Sequence, residues 1–286
     1  MAFQVCDPSL DCGDPANTKI YLAQSDDGST WTPIPGFQPV AGSTPELIRR
    51  DDTLYLFDEN EVRRYHLDTG QWDNPSPITI TRSDGAQELF VAPSAIQDEN
   101  GRIVLFYLVG QASGDPTRCS PGLTTCAKVF RSATEVAGSD GSSFTVDTGI
   151  RYETIITGME WASDPDVFRG PDSYLIYFSR GQSVQALSSS TLKGSYNPVS
   201  DLPNGMLVGS GIGAAPAGHY DSSTGRYWTY IEGAPAGVSV IRRAAHNNLI
   251  FSLSEPSFTT VLAGNTFQGL SSFYNVGRPS FALNVP

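Results

Sequence analysis

Two carboxylates flank a proline at Asp164-Pro165-Asp166, and Glu160-Trp161 stands just upstream. Acid/base cleavage of a glycosidic bond needs two carboxyl groups roughly 5–10 Å apart, one giving a proton and one acting as base or nucleophile. A nearby Trp offers a sugar ring an apolar face to stack on. Glu46, Glu88, His219 and Arg278 are the other groups that could hold or move a proton or orient a polar ligand, and Ser94 could add a hydroxyl. Most of these residues belong to a single phrase that recurs five times: a small or polar residue, Pro, any residue, then an apolar one.

The five copies are Thr44-Pro45-Glu46-Leu47-Ile48, Ala92-Pro93-Ser94-Ala95-Ile96, Asp164-Pro165-Asp166-Val167-Phe168, Ala215-Pro216-Ala217-Gly218-His219 and Arg278-Pro279-Ser280-Phe281-Ala282. Their prolines are 48, 72, 51 and 63 residues apart. Spacing of about 40–50 residues is that of a four-stranded β-propeller blade. Each copy leads into a turn and a strand rich in Tyr, Phe, Val and Ile, as at Leu54-Tyr55-Leu56-Phe57 and Tyr174-Leu175-Ile176-Tyr177-Phe178, which suits a pleated, buried surface. The chain therefore reads as all-β: a single five-bladed propeller domain over residues 1–286, with leading strands near 44–48, 92–96, 164–168, 215–219 and 278–282. Six blades is the alternative if the 72-residue interval hides another unit. Two long loops, residues 110–127 and 151–163, account for the excess under the five-blade reading.

Both ends of the chain fall in one blade. Ala2-Phe3-Gln4-Val5 has the context of a second strand, like Val104-Leu105-Phe106-Tyr107, and the missing first strand reappears near residue 279. Such closure removes two free sheet edges. In a propeller the leading strands line the channel and start at one mouth. The carboxylates expected there are Asp164, Asp166, Glu160 and Glu46. Trp161, His219, Arg278, Ser94 and Glu88 are expected to bind substrate around them.

The phrase Asp164-Pro165-Asp166-Val167-Phe168-Arg169, followed by Asp172 and Tyr174-Leu175-Ile176-Tyr177, resembles a blade of the five-bladed glycosidases of families 43, 32 and 68. The resemblance implies a propeller glycosidase in which three acids at blade starts do the chemistry, and Asp164 matches one of those positions. Elsewhere the acid before Pro is replaced by Thr44, Ala92, Ala215 and Arg278, so the implied set is incomplete. Asp26-Asp27-Gly28-Ser29-Thr30-Trp31 resembles the Asp-box hairpin of sialidases, which implies a folding role. Trp31, Phe144 and Phe258 hold equivalent places and are expected to pack between blades.

The formal charge of −12 opposes binding to nucleic acid or anionic lipid. No apolar run is long enough to span a membrane as a helix. The four cysteines form local pairs, Cys6/Cys12 and Cys119/Cys126, expected as disulfides that stiffen a rim, and they suit a secreted or cell-surface, oxidising setting. No signal peptide is visible. Three His, none beside a Cys pair, argue against a zinc site. Asp7, Asp11 and Asp14 could offer oxygen ligands to Ca²⁺, without the spacing of a defined calcium loop. A monomer with a carbohydrate ligand is the expectation. Two functions stay open: hydrolysis at the channel mouth, or a scaffold that binds without cleaving. The same residues also have plainer uses: Asp164 and Asp166 could bond backbone N–H groups, and Arg278 could neutralise channel acids.

Overall fold

The structure is a computed structural model and describes residues 1–110, 125–157 and 161–283. Five sheets, antiparallel but for one added edge strand, form the blades of a ring. Blade 1 runs from Asn275–Ser280 through Ala2–Cys6 and Thr18–Gln24 to Thr32–Pro33. Blade 2 comprises Glu46–Arg50, Thr53–Asp58, Glu61–His66 and Gln71–Trp72. Blade 3 comprises Phe90–Gln97, Ile103–Val109, Thr125–Glu135 and Ser143–Val146, with Thr79–Thr81 added in parallel at its outer edge. Blade 4 comprises Ala162–Arg169, Tyr174–Arg180, Val184–Ser189 and Asn197–Pro198. Blade 5 comprises Ala214–Asp221, Arg226–Gly233, Val240–His246 and Thr259–Leu262.

The fold class is therefore the one the repeat implies, and strands from both chain ends close blade 1. Two details differ. The C-terminal strand is Asn275–Ser280, so it starts earlier than the expected 278–282 and ends before Phe281. Part of the segment expected as a loop after Arg151 is a strand: Tyr152–Thr157 pairs with Thr125–Phe130. In the structure its exposed and buried residues alternate as in a half-buried strand, Ile156 facing in and Ile155 out.

Five apolar clusters fill the five blade junctions. Phe3 and Val5 face blade 5, whereas Ala2, Ile20 and Leu22 face blade 2. In blade 3, Ile103, Leu105 and Tyr107 face blade 2, and Val104, Phe106 and Leu108 face blade 4. A strand buried on both faces loses the alternation of a one-sided sheet, which is why Ile103–Val109 is apolar throughout. Phe144 meets Phe57 of blade 2, Trp31 meets Tyr230 of blade 5, and Phe258 joins the cluster between blades 4 and 5.

The Cys6–Cys12 disulfide forms, in the loop between the second and third strands of blade 1. Cys126 is described and Cys119 lies outside the described residues. Asp7, Asp11 and Asp14 each accept the backbone N–H two residues on, from Ser9, Gly13 and Ala16, so all three serve their own turns. Among the described residues no group of three or more His, Cys, Asp or Glu is disposed to hold a metal. No described helix is long and apolar enough to cross a membrane.

Candidate functional site at the channel

The residue before each repeated proline has a left-handed backbone. Thr44, Ala92, Asp164, Ala215 and Arg278 lie at φ 50°, 50°, 49°, 46° and 49°. A side-chain-bearing residue in that region costs roughly 1–2 kcal/mol, and a following proline adds its own restriction. Register slips at Val91/Ser94, Ser163/Asp166 and Ala214/Ala217 mark the same places as bulges. Proline fits there because it has no N–H to offer the sheet ladder.

The bulges turn backbone donors toward the preceding blade, where side chains receive them. The residue after Pro in one blade accepts the N–H of the second residue after Pro in the next. Ser280 Oγ accepts Leu47 N–H at 2.9 Å, Glu46 Oε1 accepts Ala95 N–H at 2.7 Å, Ser94 Oγ accepts Val167 N–H at 2.9 Å, and Asp166 Oδ2 accepts Gly218 N–H at 2.7 Å. The fifth step falls to Ala217, which has no acceptor. A second tier holds the N–H before Pro: Gln4 Oε1 takes that of Thr44, Ser179 Oγ that of Ala215, and Glu232 Oε2 that of Arg278, at 3.1, 2.8 and 3.2 Å. Leu108 stands at the corresponding place before blade 4, opposite Val91, and offers no acceptor.

Inside this collar Arg278 reaches across the channel. Its Nη1 lies 3.0 Å from Asp164 Oδ1 and 2.8 Å from Thr44 Oγ1. The other Asp164 oxygen accepts the hydroxyls of Ser163 and Ser179 at 2.7 and 3.3 Å. Glu46 accepts two more hydroxyls, from Ser94 at 3.3 Å and Ser280 at 2.8 Å. Burial pushes the Glu46 carboxyl well above its ordinary range, and the charge of Asp166 adds to this. Burial raises Asp166 to about 7, opposed by the Gly218 N–H. Glu232 is also raised, by burial first, with Asp164 contributing against the pull of Ser239 and Arg278. The space enclosed by the five prolines and the residues before them is about 30 Å³. That accommodates a water or two, whereas sites that engulf small organic ligands run to about 300–1,000 Å³.

The structure thus brings Glu46, Ser94, Asp164, Asp166 and Arg278 together and separates the others. Glu160 lies outside the described residues. Trp161 sits upstream of the collar, 46% exposed, near the mouth end of its strand. Glu88 is buried, bonded to Arg131 at 3.0 Å with Arg82 at 3.8 Å, and does not line the collar. His219 belongs to the opposite end, edge-on to Phe281. The reason is geometric: three residues of extended strand carry it roughly 10 Å past the Pro. Sequence reasoning missed Gln4 and Glu232. For Gln4 a signal was available, because it is a lone polar residue in the otherwise apolar second strand Ala2–Cys6, whereas Glu232 shares its strand with Arg226 and Thr229 and does not stand out.

No protein-family model matches the chain, and no curated protein sequence does. Solved structures do match. The endo-arabinase from Bacteroides thetaiotaomicron VPI-5482 superposes with a TM-score of 0.58 at 14% identity, over 82% of this chain and 88% of that one. The α-L-arabinofuranosidase from Podospora anserina, solved in complex with cellotriose, gives 0.53 at 12% identity, over 83% and 75%. The catalytic domain of the Coprinopsis cinerea GH62 α-L-arabinofuranosidase gives 0.52 at 11% identity, over 80% and 73%. At these identities the likeness is one of fold: the chain has the five-bladed architecture found among glycosidases.

Proposed function

We propose that this propeller is an extracytoplasmic protein that recognises a carbohydrate at the mouth of its channel and does not cleave it with the collar acids. One observation carries the reading. Asp164, Glu46 and Asp166 are all engaged, by Arg278 and Ser hydroxyls or by backbone N–H groups of the next blade, around a space of about 30 Å³. A sugar ring cannot enter between them, so neither proton donation to a leaving oxygen nor attack at an anomeric carbon has room to occur. Recognition is supported above the collar, where Trp161 and the aliphatic side chains of Leu89 and Val91 are exposed. An apolar platform of this kind suits the C–H face of a sugar. The carbohydrate-active proteins that share the fold favour the same ligand class, and the Cys6–Cys12 disulfide suits an oxidising compartment.

The competing reading is hydrolysis, favoured by Asp166, whose acidity near neutral pH is that of a general acid. A glycan array and a reducing-end assay on the same polysaccharides separate the two. We expect saturable glycan binding that weakens at least tenfold in Trp161→Ala, with no release of reducing ends. Accumulating reducing ends that vanish in both Asp164→Asn and Asp166→Asn would overturn the binding-only reading.

A further inference from the structure

A second and far larger cavity lies at the opposite end of the leading strands, where those of blades 1, 2 and 5 run out. Its volume is about 740 Å³, within the range of sites that bury a small organic molecule. Its walls are aromatic: Trp31 from the Asp-box hairpin, Trp228 and Tyr230 from blade 5, and Phe281 after the closing strand. Trp228 already holds a cation on its ring, since the Arg243 guanidinium lies 4.5 Å from the ring centre.

The rim carries three carboxylates. Asp26 and Asp27 come from the hairpin and Asp221 from the end of the blade 5 leading strand. Asp27 is bonded to the Ser29 hydroxyl and the backbone N–H groups of Ser29 and Thr30, and Asp221 to Ser223 and Thr224. All these partners are neutral, so the bonds hold the carboxylates ionised without cancelling their charge. Among the described residues none of the three forms an ion pair. Among the described residues lining the cavity only Arg49 carries a cationic side chain, and it points back to the Asp51 carbonyl at 2.6 Å and to Asp52 at 3.4 Å, while Arg243, outside that lining, lies over the Trp228 ring and bonds the Asp27 carbonyl. His219 is kept toward its neutral form by burial. The cavity therefore joins aromatic faces to a rim on which three carboxylates outnumber the two guanidinium groups beside it. Low-dielectric walls focus such a field, and aromatic faces attract cations by their quadrupoles.

We propose that this cavity is a binding site for a small organic cation with an aromatic or alicyclic body. The inference is independent of the glycan reading, because it concerns the other end of the channel. Its test is equilibrium dialysis of the full chain against benzyltrimethylammonium, benzyl alcohol and 3-phenylpropionate. One unit charge in a partly screened site corresponds to roughly a fivefold to tenfold change in affinity or more. We expect saturable binding of the cation, at least about tenfold tighter than the alcohol, and none of the carboxylate. The doubly substituted Asp26→Asn, Asp221→Asn chain keeps an Oδ1 acceptor for the Ser223 N–H and hydroxyl and should lose that preference, with binding of the alcohol unchanged. Equal affinity for cation and alcohol in the parent chain, an unchanged cation affinity in the double variant, or no saturable cation binding would each overturn the proposal.

Discussion

Glu46 and Asp166 follow prolines in the positions held by Ser94, Ser280 and Ala217 in the other blades, and that equivalence explains them. All but Ala217 do the same work, accepting a backbone N–H from the neighbouring blade. A buried N–H without an acceptor costs about 1–3 kcal/mol, so a short side chain with an oxygen is what the position asks for, whether or not it is acidic. Ala217 is the exception, at the junction where blade 5 meets the chain's closing strand. A serine there has an acceptor waiting for its own proton in Asp166, as Ser94 has in Glu46. Ala217→Ser should therefore complete the collar through Phe281 N–H and raise stability by about 0.5–1.5 kcal/mol, read as a higher urea midpoint with an unchanged denaturant slope. A lower midpoint would show that Phe281 N–H does not reach this position.

At the scale of elements, the Asp26–Trp31 hairpin of blade 1 is a clasp on blade 5. Arg243 donates to the Asp27 carbonyl at 2.8 Å and Tyr230 to the Gly28 carbonyl at 2.8 Å, with the Trp31 indole returning to the same carbonyl. Gly28 is at φ 65°, and a Cβ there would lie 2.0 Å from the Trp228 ring. Gly28→Ala thus combines left-handed strain of about 1–2 kcal/mol with overpacking of about 1–3 kcal/mol. We expect a loss of about 2–4 kcal/mol in chemical denaturation and a changed environment for Trp228 in near-ultraviolet circular dichroism. A loss below about 1 kcal/mol would mean the hairpin is not held against blade 5. The same contacts set one wall of the large cavity, so a folding motif and a ligand site share residues.

At the scale of the whole molecule, the two acids at the hub make ring closure depend on pH. Asp166 titrates near 4 when unfolded and near 7 when folded, because burial disfavours its charge. A carboxyl whose pKa rises on folding contributes stability that is complete below the unfolded value and is lost as pH rises through the folded one. The loss should therefore run from about pH 4 to about pH 7, with Glu46 acting in the same direction. Asp166→Asn keeps an acceptor for Gly218 N–H and cannot ionise. Relative to this variant, the parent chain should lose on the order of 1–3 kcal/mol between pH 4 and pH 7.5, measured by denaturation across that range. Parallel stability curves for the two chains would refute a buried, proton-linked Asp166.

Sequence alone determined the architecture. The five prolines marked five blades because each blade needs the same bulge at the same place, and propellers are local repeats whose spacing survives in one dimension. The closing of blade 1 by both ends was legible for the same reason, as was the Cys6–Cys12 pair, since six residues within one loop leave little choice of partner. The strand Tyr152–Thr157 was not legible as such, because it extends a sheet rather than repeating one. What Asp164, Asp166 and Glu46 do was decided by tertiary structure. A carboxylate beside a proline reads alike whether it faces a substrate or a backbone N–H, and the donors it meets come from blades some 50–230 residues away. Tertiary structure also sent His219 to the far end of the channel and joined it there with the Asp26–Trp31 hairpin, Trp228 and Phe281. Strand rise separates residues that stand together in sequence, and ring closure joins residues from its two ends.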